Sequence, residues 1–397
     1  MIRRPIVLLA VVSLVVTACT FGASPGTTIT AASGGALGGR LVVLDDQGDV
    51  VTLDPDGSNR VELTTDGASS QYFQPIWSPN ERRIAWSVAD EEGFAVVTSA
   101  EDGSDMSRVD TSGFPFYLNW SPDGEQIGIL HGGSGGGTLD FELVDADEGT
   151  TSVIDQGSPY YFSWSPGSDA VVVHVNGDRL EIFDESANPL DIGPTSPNYL
   201  SPRWTPDGIF YLGPDGVMLR RNDNETELVA AASGFVSINP NRDGSFVAVH
   251  TISANEGITV SAAPLAQNSQ DGVVVVDTST GEESEVVSAL SVGSFWSPDG
   301  TRLMVLAVSE EAVVDFHIWE AGETRRLTTM ELSVALLSEA LAFFDQYAQS
   351  WNVWSPDSDA IVFPGSIDGS GGVWVVPLDG SGPRNVSDGR WAAWSHG

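Results

Sequence analysis

One short motif recurs along the whole sequence. Trp-Ser-Pro occurs at Trp77, Trp120, Trp164, Trp296 and Trp354, and Trp-Thr-Pro at Trp204. Ile238-Asn239-Pro240 reads as a degenerate copy, and Trp394-Ser395 as a truncated one near the end. Successive copies lie 43, 44, 40, 34, 58, 58 and 40 residues apart, and seven of the twelve tryptophans occupy this single position. Self-similarity at such a period marks a repeat architecture, in which each unit buries its apolar faces only against its neighbours.

The unit has a physical logic. In Ser121-Pro122-Asp123-Gly124 and Ser297-Pro298-Asp299-Gly300, Pro sits where a type I turn needs a preset φ, and Gly takes the last position. Asp207 and Asp357 hold the same place after Trp204 and Trp354. A strand ends at each Trp, the turn reverses the chain, and an alternating strand follows, as in Gln126-Ile127-Gly128-Ile129. A third strand such as Val373-Trp374-Val375-Val376 and a polar outer strand complete the unit. Four antiparallel strands in ~45 residues is the period of a propeller blade.

With these residues the chain resembles the TolB-like or WD40-like (PD40) propeller repeat, whose hallmark is W-S-P-D-G followed by an apolar strand. The resemblance covers residues 40–397. It implies an all-β chain forming a single β-propeller, and engagement of cell-envelope proteins. Seven turn motifs have strands after them, whereas the strand ending at Trp394 has none. Residues 40–65 supply strands that lack an inner partner, so joining the two ends closes an eighth four-stranded blade without a free edge. Eight blades are expected, with seven as the alternative.

The first 39 residues read as an address. Met1-Ile2-Arg3-Arg4 precedes an apolar run over 6–16, too short for the roughly 20 residues of a membrane span but suited to a secretory signal. The run ends in Val16-Thr17-Ala18-Cys19, which resembles a bacterial lipobox with the only cysteine of the chain in place. Residues 1–18 are thus expected to be a lipoprotein signal peptide and Cys19 the lipidation site. Residues 19–39 are expected to form a Gly/Ser/Thr tether. A diacylglyceryl group carries two acyl chains, enough for stable anchoring. The chain is accordingly placed outside the cytoplasm, on a bacterial membrane, as a monomer.

Charge narrows the partners. There are 55 acidic residues against 17 basic ones, a formal net charge of −38, and every basic residue is Arg. So negative a surface repels phosphate backbones and anionic headgroups, which excludes nucleic acid and a polybasic membrane grip.

In a propeller the A–B turns share one face with the C–D turns, and the B–C loops and D–A links form the other. The Trp-Ser-Pro turns look uniform, so variation falls on the second face: the 132–137 glycine run, the 252–272 insert, 309–315, and a predicted helix over about 331–350. There Leu337, Leu341 and Phe344 recur at i, i+4 and i+7, with Phe343 and Tyr347 beside them. These five are candidate partner-binding residues, with capping of the central channel as the competing role. Loops on a rigid scaffold are where binding commonly resides.

Catalytic chemistry is sparse. Gly22-Ala23-Ser24-Pro25-Gly26 and Gly132-Gly133-Ser134-Gly135-Gly136 fit G-x-S-x-G, but neither sits between a buried strand and a helix as a nucleophile elbow requires. His131, His174 and His250 each end the second strand of a blade. They are weak metal candidates, expected instead to meet solvent. The acidic clusters Asp45-Asp46, Asp90-Glu91-Glu92 and Glu310-Glu311 match no calcium loop, so Ca²⁺ is a minor alternative to having no cofactor. The sequence therefore predicts a non-enzymatic propeller that binds or scaffolds an envelope component through the B–C/D–A face. The alternative is a carbohydrate-binding or carbohydrate-active propeller using the channel mouth.

Overall fold

The structure, a computed structural model, describes residues 37–133, 136–184, 189–252, 271–310 and 312–396. Cys19, the signal segment and most of the tether lie outside the described residues, as do 253–270 and part of the 132–137 run.

The chain is an eight-bladed β-propeller. We number the blades by their turn motifs: blade 1 spans 71–111, blade 2 117–157, blade 3 160–191, blade 4 203–231, blade 5 235–287 and blade 6 291–331. Blade 7 spans 354–387. Its inner strand is reduced to the Trp354–Ile361 bridge, and a single pairing of Glu331 with Ser366 joins its sheet to that of blade 6. Blade 8 is built from both ends of the chain. Its inner strand Trp391–Trp394 pairs antiparallel with Leu41–Leu44, Leu41 opposite Trp394, and Val50–Leu53 and Val61–Glu62 follow outward. Packing starts at Leu37 rather than at residue 40, because the Trp394 indole donates to the Gly38 carbonyl at 2.9 Å.

The second strand of a blade is buried on both faces and is largely apolar along its length, as in Ile84–Asp90 and Ala170–Val175, whereas the third strand alternates, as in Val313–Glu320. Adjacent residues serve different neighbours. In Leu41–Leu44, Val42 joins the large core around the channel, whereas Val43 packs with Val362 and Val375 of blade 7. Close approach dictates some residues outright: a side chain at Gly128 would meet the Phe162 ring of the next blade at 2.7 Å.

The turns stitch the blades into a ring. Ser121 Oγ donates to Asp123 Oδ1 at 2.6 Å, which in turn accepts the Glu125 N–H at 3.1 Å. The same motif recurs at Ser297–Asp299 and Ser355–Asp357. Several turns also reach the next, as when the Asp123 N–H donates to Ser168 Oγ at 3.0 Å and the Asp299 N–H to Ser358 Oγ at 3.3 Å. Indoles add a second course of bonds: Trp164 donates to Asn119 O, Trp296 to Asn239 O and Trp354 to Phe295 O. Asp207 departs from the rule and pairs with Arg221 at 3.1 Å, because its shorter turn bonds Thr205 Oγ1 to Gly208 O.

The degenerate repeat in blade 5 needs a correction. The turn bond Gly244 N–H to Asn241 O corresponds to Gly124 N–H to Ser121 O. The copy is therefore Pro240-Asn241-Arg242-Asp243-Gly244, two residues beyond Ile238-Asn239-Pro240. Pro240 stands where the other blades carry Trp, and Arg242 where they carry the turn proline. In blade 8 the same proline position holds His396. The turn face is thus less uniform than the sequence motif suggested.

Candidate functional site

The insert between blades 6 and 7 is not one helix over 331–350. Glu331 ends a strand, and three single turns follow: a π turn Leu336–Ala340, a 3₁₀ turn Leu341–Phe343 and an α turn Phe344–Tyr347. The broken geometry follows from where it goes. The segment enters the central channel, and contacts with many blades override local propensity. Gln346 Oε1 accepts the Phe162 N–H at 3.1 Å and its Nε2 donates to Phe162 O at 3.0 Å, both in blade 3. Tyr117 of blade 2 donates its hydroxyl to Gln346 O at 2.9 Å. Ser201, just before blade 4, donates its N–H to Asp345 Oδ2 at 3.2 Å. Gln74 of blade 1 donates to Ser350 Oγ at 3.0 Å. Phe344 packs on His250 of blade 5, ring centroids 4.6 Å apart, and Gly293 of blade 6 leaves room for Leu341 and Phe344. Trp351 stacks on Trp391 of blade 8 at 4.3 Å and 20°. The insert is a plug.

This places the predicted binding residues. Leu341, Phe344 and Tyr347 are buried in the core, so they hold the plug. Leu337 is partly buried, and Phe343 is exposed at 40%. Beside Phe343 lies an apolar cleft of about 220 Å³ walled by Phe116, Leu130, Leu139, Pro159, Tyr160 and Tyr161. It opens on the B–C/D–A face, where Phe94 and Val334 are also exposed.

Asp345 is fully buried, and burial pushes its carboxyl up to about 7. Arg203 lies nearby in the wall; burial lowers its guanidinium to about 10, and its Nη1 donates to Asn239 Oδ1 at 3.0 Å and to Asp345 O at 3.4 Å. Sequence reasoning missed both. The available signal was a run of polar side chains, Asp345, Gln346 and Gln349, inside an apolar stripe.

On the turn face the plug floors a funnel of about 440 Å³. The residue preceding each motif Trp, or its equivalent, lines this funnel in six blades: Asn119, Ser163, Arg203 and Asn239 make a polar arc, Phe295 and Val353 an apolar one. Arg242 and His396 stand at its rim, and none of its lining residues is acidic.

The three histidines are not solvent-facing, which corrects the expectation for them. All three are at most 1% exposed, each with its own partner. His131 Nε2 meets Glu142 Oε2 at 2.9 Å, His174 Nδ1 meets Leu200 O at 2.9 Å, and His250 Nε2 meets Ser294 Oγ at 2.7 Å. Strand ends beside a plugged channel are interior positions. The hydrogen bond to Glu142 raises His131, whereas burial lowers His174 and brings His250 to about 3. Among the described residues no three His, Cys, Asp or Glu side chains converge as a metal site. Two of the acidic clusters are tied to arginines instead: Asp90 to Arg108 at 2.7 Å and Asp45 to Arg60 at 2.5 Å. Residues 309–310 and 313–315 lie within the paired strands Arg302–Glu310 and Val313–Glu320.

No protein-family model matches the chain, and no curated protein matches it. Solved structures do. An oligogalacturonate lyase in complex with manganese is 14% identical with a TM-score of 0.54, covering 86% of this chain and 98% of that one. The oligogalacturonate lyase of Vibrio parahaemolyticus is 13% identical with a TM-score of 0.51, covering 85% and 96%. TolB from Acinetobacter baumannii is 14% identical with a TM-score of 0.43, covering 91% and 67%. Likeness at this level of identity concerns the propeller fold and not the activity.

Proposed function

We propose that this chain is a lipid-anchored, non-enzymatic propeller of the bacterial envelope that binds another envelope protein through its B–C/D–A face. The observation that supports the reading is the apolar cleft beside Phe343. At about 220 Å³ it falls below the roughly 300–1,000 Å³ of small-molecule pockets, and it suits an anchoring side chain of a protein partner. Exposed Phe343, Phe94 and Val334 give that side an apolar character on an otherwise strongly acidic chain. The plug makes the face rigid by bonding Phe343's neighbours to the inner strands, which limits the ordering cost of binding. The carbohydrate-active reading of the channel mouth has less behind it, because the lining of the funnel offers no pair of carboxylates for acid–base chemistry.

The test is affinity capture from detergent-solubilised envelopes of the source cell, using the chain and its Phe343→Asp variant. A protein retained by the first and lost by the second supports the reading. Identical recoveries from both contradict it.

A further inference from the structure

The funnel on the turn face is built unlike the rest of this molecule. The chain carries a formal charge of −38, yet the lining holds two guanidinium groups and no carboxylate. One quadrant concentrates the difference. Blade 5 has Pro240 in place of the repeat tryptophan, and the flanking Trp204 and Trp296 are partly exposed, whereas Trp77, Trp120, Trp164 and Trp354 are buried. A missing indole thus leaves a notch between two others. Arg242, exposed at the rim of this notch, makes no ion pair or hydrogen bond among the described residues. Arg203 in the wall spends only Nη1 on protein partners, so its Nε and Nη2 remain as donors. The Trp204 indole N–H likewise has no partner among the described residues, unlike those of Trp164 and Trp296.

We propose that this notch binds a small organic monocarboxylate with a flat apolar body. A carboxylate matches the planar fork of a guanidinium, and the indole N–H adds a neutral donor. The partly exposed indoles of Trp204 and Trp296 take the body by stacking and edge contacts. A single negative charge is what the site can hold. The surrounding acidic surface opposes every added charge, although at physiological salt its reach is cut to a Debye length of ~8 Å, and the guanidiniums dominate within the funnel. The site lies on the face opposite the Phe343 cleft, so the proposal stands apart from the partner-binding reading.

Isothermal titration of the full chain with 2-naphthoate, 2-naphthamide and 2-naphthyl phosphate tests it. The expected result is saturable binding of one naphthoate, with naphthamide at least about tenfold weaker, the loss expected for a charge-assisted contact. Arg242→Pro restores the repeat's own turn residue and should fold unimpaired, yet weaken naphthoate about tenfold. Arg242→Gln, which removes the charge but keeps a polar side chain, should weaken it similarly. Naphthamide binding as well as naphthoate, unchanged affinity in both Arg242 variants, or no saturable binding of naphthoate would overturn the proposal. Tighter binding of the phosphate than of the carboxylate would overturn the monoanion assignment.

Discussion

Gln346 pairs with Phe162 through both main-chain groups, its Oε1 taking the N–H at 3.1 Å and its Nε2 giving to the carbonyl at 3.0 Å. A single side chain from the plug thus substitutes for a neighbouring strand on the inner edge of blade 3. An inner strand in an open channel would have water for these groups, but here they are buried. The Phe162 carbonyl also accepts Gln349 Nε2 at 3.1 Å, so Gln346→Ala strands the N–H alone and should lower stability by about 1–3 kcal/mol, the cost of one unsatisfied buried donor. Urea unfolding of the variant checks this, and a loss below about 0.5 kcal/mol would mean that the plug is not held as described.

Asp345 gives the plug a pH dependence. Its carboxyl is raised from 3.8 to about 7, so the folded state binds its proton more tightly than the unfolded chain does. Its contribution is most favourable below about pH 4 and is lost as the pH rises to about 7. Asp345→Asn keeps an acceptor for the Ser201 N–H and removes the buried charge. The variant should gain on the wild type as pH rises from 5 to 8, by roughly 3 kcal/mol, since about two of the roughly three pH units between 3.8 and 7 fall within that range. Melting temperatures of both proteins across that range decide it.

His131 and Glu142 act in the opposite sense. The hydrogen bond to Glu142 raises His131 from 6.5; burial pushes Glu142 up, but the bonds from His131 and Thr151 outweigh it and bring it below 4.5. The histidine contributes fully below pH 6.5 and loses this as pH climbs through its raised value, while the glutamate contributes above 4.5 and loses it on acidification. The pair is strongest between those two values. His131→Gln should destabilise more at pH 6 than at pH 9, and a pH-independent difference in unfolding free energy would contradict the pairing.

Arg242 occupies a turn position that is proline in most blades. Arg242→Pro should raise stability by about 0.4–1 kcal/mol, because a compatible proline restricts the unfolded chain. Thermal denaturation checks the sign.

The fold was largely legible because its information is repeated. Each Trp, each turn and each apolar middle strand says the same thing, and the unpaired strands at the two ends imply their own closure. What was not legible is what breaks the repeat. The blade 5 copy was misregistered by two residues since Pro240 and Arg242 erase the two residues by which the motif is recognised. The 3.6-residue spacing of Leu337, Leu341 and Phe344 is real, but a stripe wide enough to enter a channel looks the same in sequence as one wide enough to receive a partner. Only the structure separates Phe343, which faces out, from Phe344, which faces His250. The histidines misled for a related reason: a strand end is a rim position only if the channel is open.

The partner-binding face is tested most directly by site-specific photo-crosslinking in living cells, with the probe at Phe343 and a matched control at Asp123 on the turn face. The account predicts a discrete adduct from Phe343 and none from Asp123. Adducts from neither position, or equally from both, would contradict it.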